Sequence, residues 1–251
     1  MRGFITDPAG PAGLRLSDDL PEPAPKPNEA LVEVRAYAVN NDEATLIARR
    51  PDGWRPGQDA AGVVLRALRV GGAVLGRQVL VTGATGGVGQ FAVQLALAAG
   101  ATVTALVSDP ERVEDARALG AHRVVTSLDE ASLGPFHLVL EGVGGDVLAA
   151  AVRHVVPGGH VAWYGNPGRR TTEISLADFY TQGWNAHIVG FISPHPEETK
   201  GEDLAILARL VADGRLTPHI GLVLDWERTP EVFERMAARG FRGKAVLKVR
   251  D

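Results

Sequence analysis

Val79-Leu-Val-Thr-Gly-Ala-Thr-Gly-Gly-Val-Gly89, running on into Gln90-Phe-Ala-Val-Gln-Leu-Ala-Leu-Ala-Ala-Gly100, reads as a buried strand, a glycine turn and an alanine-rich helix. Glycines stand at Gly83, Gly86, Gly87 and Gly89, with Thr85 and Val88 between them. A turn of this kind suits a pyrophosphate, because two phosphates can approach backbone N–H groups at a helix N-terminus, where the helix dipole favours negative charge. A Cβ at position 86 or 87 would hold the phosphates off, and glycine at 89 lets the helix lie close against the strand. The strict G-x-G-x-x-G spacing is not met, since position 84 is Ala, so the turn taken alone also fits a plain loop.

The residues that follow narrow the choice. Thr102-Val-Thr-Ala-Leu-Val107 is a second strand, and Asp109-Pro-Glu-Arg112 opens a helix with proline and acids in its first turn. Strand, glycine turn, helix and strand form the βαβ unit that binds dinucleotides, whose second strand usually ends on an acid that holds the ribose of NAD. Here Val107 and Ser108 stand at that tip and Arg112 follows one turn later. A hydroxyl plus a guanidinium accommodates a 2′-phosphate, so the expected cofactor is NADPH. The alternative makes Arg112 a solvated helix residue and Asp109 a displaced ribose acid.

Composition excludes several classes. The 251 residues are 45% hydrophobic and 22% charged, which is ordinary globular material with room for one large or two modest domains. A net charge of −4 provides no basic surface for nucleic acid or anionic lipid. There is no cysteine, so disulfides and thiolate zinc sites are excluded, and the seven histidines (122, 137, 154, 160, 187, 195 and 219) lack ligand spacing. The N-terminal residues lack the apolar core of a signal peptide and no run is long enough to cross a bilayer, so a cytoplasmic location is expected.

The first seventy residues look β-rich: a strand at Leu14-Arg-Leu16, a proline-stiffened connector at 21–27, a long strand Ala30-Leu-Val-Glu-Val-Arg-Ala-Tyr-Ala-Val39, and a turn at 56–62 leading into Val63-Val-Leu65. From Val79 strands and helices alternate: strands at 123–125, 136–141, 159–164 and 186–192, with helices near 147–155 and 175–182. Six parallel strands with crossover helices predict an α/β fold, a doubly wound sheet with its ligand at the strands' carboxyl ends. The loops Glu141-Gly-Val-Gly-Gly145 and Tyr164-Gly-Asn-Pro-Gly168 leave such ends, and their glycines serve either tight turns or close approach of a nucleotide. Beyond residue 200 the pattern predicts a helix over 202–213, a strand at 222–224, a helix over 229–239 with Thr229 as N-cap, and a final strand over 243–249.

Taken in order, a set of pieces resembles the zinc-free branch of the medium-chain dehydrogenase/reductases, the quinone oxidoreductase and enoyl reductase group. These are Ala38-Val-Asn40, Pro56-Gly-Gln-Asp-Ala-Ala-Gly62, 75–89, Leu119-Gly-Ala121, 141–145, Gly158-Gly159 with Tyr164-Gly-Asn166, Asp213-Gly-Arg215 and Gly243-Lys-Ala-Val-Leu247. The resemblance implies a Rossmann-type NADPH-binding domain over 71–214 and a GroES-like β domain from 1–70 and 215–251. It also implies hydride transfer to a quinone or an α,β-unsaturated carbonyl small molecule in a cleft between them, and a homodimer joined through the strand near 188–192. Carried over by position, Asn40 faces the nicotinamide and the substrate carbonyl, and Gly83, Thr85 and 86–89 hold the pyrophosphate. Ser108 and Arg112 meet the 2′-phosphate; Val143, Gly165, Asn166 and Phe191 line the cofactor groove, and Lys244 closes it. No metal is implied.

Two departures stand out. Ser127 occupies a place where the family often has a phosphate-binding tyrosine, and Gly62 runs almost directly into Gly76, where the family has several dozen residues more. The β domain is therefore expected to be truncated, without some of its strands and without the helix that leads into the Rossmann unit. A reductase on this plan needs little acid–base machinery: Asn40 donates to the oxygen that gains charge, while Tyr37 or Tyr164 either supplies a proton or merely packs, with solvent as the other source. The truncation also fits a different class, a non-reducing NADPH-binding descendant that acts as a sensor, a binding protein or a redox-neutral, cyclase-like biosynthetic enzyme.

Overall fold

The computed structural model describes residues 1–25, 27, 31–57, 61–129, 133–181, 184–191 and 200–249. In chain order the strands are β1 (Gly3–Thr6), β2 (Leu14–Ser17), β3 (Ala36–Ala38), β4 (Gln78–Thr82), β5 (Thr102–Leu106), β6 (Arg123–Val125), β7 (Phe136–Glu141), β8 (Val155–Trp163), β9 (His187–Gly190), β10 (Ile220–Asp225) and β11 (Lys244–Lys248). The helices are α1 (Asn41–Ile47), α2 (Ala61–Val70), α3 (Gly89–Ala98), α4 (Val113–Ala118), α5 (Gly145–Val152), α6 (Leu176–Thr181), α7 (Lys200–Ala212) and α8 (Thr229–Ala237). The chain divides into two compact units, one of residues 1–59 with 219–251 and one of residues 60–218.

The larger unit is a six-stranded sheet in the order β6-β5-β4-β7-β8-β9, parallel throughout. This is the Rossmann order, which reverses direction between β4 and β7 and opens a crevice at their carboxyl ends. The continuous apolar runs of the central strands follow from helices covering both faces. Val79, Val81, Val103, Ala105, Leu138 and Leu140 pack with α3 residues such as Ala92 and Val93 in one core, while Leu80, Val139 and Val161 pack with Leu148, Ala151 and Val152 of α5 in the other. The two-residue pleat sends alternate side chains to opposite helical layers, so polar positions would be buried on either face.

In the smaller unit β10 and β11 run parallel, β11 pairs antiparallel with β3, and β1 with β2 forms a separate hairpin. The C-terminal strands thus complete a sheet begun near the N-terminus. Helix α8 carries Val232 and Phe233 into a core with Leu14, Val39, Ile47, Ala245 and Leu247.

Several expectations are corrected. Residues 61–70 form helix α2, not a strand at 63–65; Ala67 and Leu68 are buried in the first core of the Rossmann unit, and that packing outweighs the β preference of the paired valines. The helix expected to be missing ahead of the glycine turn is therefore present. The long strand ending at Val39 is confined to Ala36–Ala38, because its pairing partner β11 runs only that far, with one further bond from Val249 N–H to the Arg35 carbonyl. Residues 31–34 take no strand structure, and Leu31 and Val32 are exposed. Asn40 does not end a strand but stands at the N-cap of α1, and Thr229 is the first residue of α8, whose N-cap is Arg228. Ala30, the 58–60 part of the turn, Gln182, Ile192 and His195 lie outside the described residues. Among the described residues no helix is long and apolar enough to cross a membrane.

Candidate nucleotide site

The turn after β4 has the geometry a diphosphate requires. Gly83 sits at φ +57°, a left-handed conformation that L side chains resist, and the Gly86 N–H closes the turn on the Gly83 carbonyl at 2.9 Å. A Cβ on Gly89 would lie 2.2 Å from that same carbonyl oxygen, so only glycine lets α3 start so near the strand end. Helix α3 begins without an acidic residue in its first turn. The N–H groups of Gly87, Val88 and Gly89 meet no acceptor among the described residues, leaving the positive end of the helix lined with donors. Thr85 is buried in the turn. The cradle thus fits a nicotinamide dinucleotide.

Loops from the neighbouring strands close on this turn. A Cβ on Gly83 would come within 3.2 Å of Val143 Cγ2, one on Gly144 within 2.7 Å of the Asn166 side chain, and one on Gly165 within 2.6 Å of the Gly142 carbonyl oxygen. Gly83, Val143, Gly165 and Asn166 are therefore gathered at the carboxyl ends of β4, β7 and β8. Asn166 is held by its own loop: its Oδ1 accepts from the Arg170 N–H at 3.1 Å and its Nδ2 donates to the Arg170 carbonyl at 2.9 Å. Phe191 follows β9, with its N–H on the Trp163 carbonyl.

A residue that sequence reasoning passed over organises these loops. Glu141, the last residue of β7, is 0% exposed, and its carboxylate accepts from Thr82 Oγ1 at 3.0 Å, the Val143 N–H at 2.9 Å and the Gly144 N–H at 3.0 Å. Thr82 Oγ1 in turn accepts from the Gly142 N–H at 2.9 Å. Burial raises the Glu141 carboxyl above its ordinary value, opposed by the bonds from Val143, Gly144 and Thr82. The signal in the sequence was an acid directly after the apolar run Leu138-Val-Leu140 and just before a Gly-x-Gly-Gly loop, where loop N–H groups need an acceptor. Tyr164, beside Gly142, has an enclosed hydroxyl with no partner among the described residues, and burial raises its phenol.

At the far end of the crevice, β5 ends beneath buried Val107 and exposed Ser108. Asp109 caps the short helix that follows, its Oδ1 accepting the Glu111 N–H at 2.9 Å. Its carboxylate is thus engaged locally. The Arg112 guanidinium has no ion pair with any described residue, although Asp109, Glu111 and Asp115 are near it in sequence. Replacing Arg112 by alanine is expected to weaken NADPH about ten- to a hundredfold and leave NADH nearly unaffected, which paired fluorescence titrations would read.

The other unit holds the remaining pair. Lys244 Nζ donates to Asn40 Oδ1 at 2.5 Å and to the Val39 carbonyl at 3.2 Å, while Glu43 Oε2 accepts the Asn40 backbone N–H at 2.7 Å. The ammonium orients the Asn40 carboxamide by taking its oxygen, so the hydrogen-bearing nitrogen is set on the other side. Tyr37 shares a 2.6 Å hydrogen bond with Thr229 Oγ1, and burial raises its phenol, so it holds its proton at neutral pH. No cluster of three histidine, aspartate or glutamate side chains able to hold a metal occurs among the described residues.

Residues 87–209 match the zinc-binding dehydrogenase family. With this match, the sheet order and the relatives below make the chain similar to medium-chain dehydrogenase/reductases. The chain is similar to polyketide synthase GfsB of Streptomyces halstedii, with 33% identity over 82% of this chain and 4% of that protein. It is also similar to acryloyl-coenzyme A reductase of Metallosphaera sedula, with 28% identity over 74% of this chain and 55% of that enzyme. The chain thus spans about half the length of such a reductase and a small part of the synthase. Among solved structures, the quinone oxidoreductase of Thermus thermophilus, also determined as an NADPH complex, superposes with a TM-score of 0.82 at 23% identity, covering 99% of this chain and 100% of that one. That likeness carries the fold.

Proposed function

We propose that the protein is a zinc-free, NADPH-dependent oxidoreductase that transfers hydride to a quinone or an α,β-unsaturated carbonyl small molecule in the cytoplasm. The observation that carries this reading is the amide-lined turn at 83–89, placed where the sheet order reverses. Arg112, with no ion pair among the described residues, together with Ser108 and with Asp109 occupied as a cap, favours the phosphorylated cofactor over NADH. NADPH, when bound, supplies the hydride. The protein's part is to orient and to stabilise charge: the turn grips the diphosphate, and the Asn40 amide, aimed by Lys244, donates to the substrate oxygen as it becomes anionic. Solvent supplies the proton.

Asn40→Ala is expected to lower kcat by about a hundredfold while NADPH affinity stays within about twofold, as for loss of one donor to a developing oxyanion. Lys244→Met is expected to act in the same direction and less strongly, because the carboxamide remains but loses its orienting partner. Steady-state kinetics with a simple quinone, alongside NADPH titration, measures both. NADPH binding without oxidation across quinones and enones would abandon the reductase in favour of a non-reducing protein, to which the small β unit also inclines. Absence of binding would abandon both. A homodimer is proposed through the edge strand β9, where Ile188 is exposed and one side of the strand has no partner strand among the described residues. Sedimentation showing a monomer at micromolar concentration would refute it.

A further inference from the structure

The smaller unit contains a cavity of about 800 Å³ whose walls include Phe4, Val34, Tyr37, Val39, Trp226 and Phe233. That volume is within the range of small-molecule sites. The polar groups at its edge already have partners inside the unit. Arg2 is paired with Asp18 and Glu227, Glu22 faces the N-terminal ammonium, the Tyr37 hydroxyl is bonded to Thr229, and Glu43 accepts the Asn40 N–H. What such walls offer is apolar surface, and because the two cations at its edge, Arg2 and the N-terminal ammonium, are already paired and are matched by Glu22 and Glu43, it holds no surplus positive charge for an anion such as phosphate or coenzyme A.

The cavity also touches the groups that hold Asn40. Val39 lines it and gives its carbonyl to Lys244, and Glu43 lines it while capping Asn40. We propose, building on the reductase reading, that this cavity receives an uncharged apolar arm of the acceptor, so the preferred substrates are enones or quinones bearing an aliphatic or isoprenoid chain. The carbonyl is met at Asn40, and the arm lies against Tyr37, Val39 and Phe233. The truncation of the β domain thereby becomes a specificity device, since apolar wall is left for a ligand to cover.

The test uses the full chain and the neutral dye N-phenyl-naphthylamine, whose fluorescence rises on entering an apolar site. Dye binding, its displacement by methyl, pentyl and nonyl vinyl ketone, and kcat/KM for the same three ketones with NADPH are measured; the chain has no cysteine for them to alkylate. The dye is expected to bind. Displacement and kcat/KM are expected to strengthen with chain length, by up to about fourfold for each methylene buried. Val34→Trp, which fills the cavity, and Val34→Asp, which puts a charge in it, are expected to weaken dye and nonyl ketone at least tenfold and flatten the ladder; retained NADPH affinity in each variant reports a folded Rossmann unit. The proposal is overturned if the dye does not bind, if the ladder is flat, or if neither variant changes it. Displacement needs no turnover, so failure of the reductase reading appears separately, as a chain-length ladder without NADPH oxidation.

Discussion

Replacing Gly89 by alanine is expected to abolish binding of the proposed cofactor, NADPH, at concentrations that saturate the unmodified protein, an increase in Kd of at least about a hundredfold. The added Cβ meets the Gly83 carbonyl oxygen at 2.2 Å and Ala84 Cα at 2.8 Å, and both are backbone atoms without a rotamer to yield. The first turn of α3 has to move away from β4, and the donors of Gly87, Val88 and Gly89 move with it. The shift also opens the buried contacts of Ala92 and Val93, so a stability loss of about 3 kcal/mol accompanies the loss of binding. Gly86→Ala separates the two effects, since its methyl still stands in the way of the phosphates while the fold is nearly undisturbed. Its Cβ would stand 3.1 Å from the same oxygen, a contact relieved by a few tenths of an ångström. Thermal unfolding with and without NADPH reads both effects, and a Gly89→Ala protein whose melting point still rises with NADPH would overturn the diphosphate assignment.

The second large effect is expected at Glu141, which touches no solvent. Glu141→Ala leaves the N–H groups of Val143 and Gly144 and the Thr82 hydroxyl without their acceptor, and at roughly 1–3 kcal/mol for each of these three buried groups the loss is about 3–9 kcal/mol. The 142–144 loop loosens and cofactor affinity falls with it. The pH dependence is distinctive. Burial raises this carboxyl above its ordinary value of 4.5, so between that value and the raised one the folded state binds more protons than the unfolded state. Its contribution to stability therefore declines as pH rises through that window and is level above it. Glu141→Gln lacks the titration, so the stability of the unmodified protein minus that of the variant falls with rising pH; denaturant unfolding at a series of pH values measures this. A constant difference would show that the carboxyl is not raised.

Much of the Rossmann unit is legible in the amino-acid order because its information is local. The runs at 79–81, 103–107 and 138–140 are apolar save for Thr104, as strands buried on both faces require, and the first and last are followed within two residues by glycine. The smaller unit is less legible. Residues 31–39 alternate or run apolar over ten positions with the preceding alanine, yet strand forms only opposite β11, more than two hundred residues further on. Strand length is a property of the pair, and no periodicity in one segment reports where its partner ends. Helix α2 was hidden for a related reason. Its valines carry a strand preference, and what makes it helical is packing against other helices of its own unit, where Leu65 and Leu68 join Leu95 and Leu210 in the first core.

The site divides along the same line. Spacing alone determined the glycine turn and the alternation of strands with crossover helices, because each arises from chain neighbours whose backbone and helix-terminal chemistry is set within a few residues. Tertiary structure decided that Lys244 reaches across 204 positions to orient Asn40, that Glu141 gathers the N–H groups of one loop and the hydroxyl of another strand, and that aromatic residues from both ends of the chain line a cavity. These are pairings between groups whose separation along the chain carries no signal. They form because burying a charge or an apolar wall leaves one well-satisfied arrangement, and folding finds it only after the local elements exist.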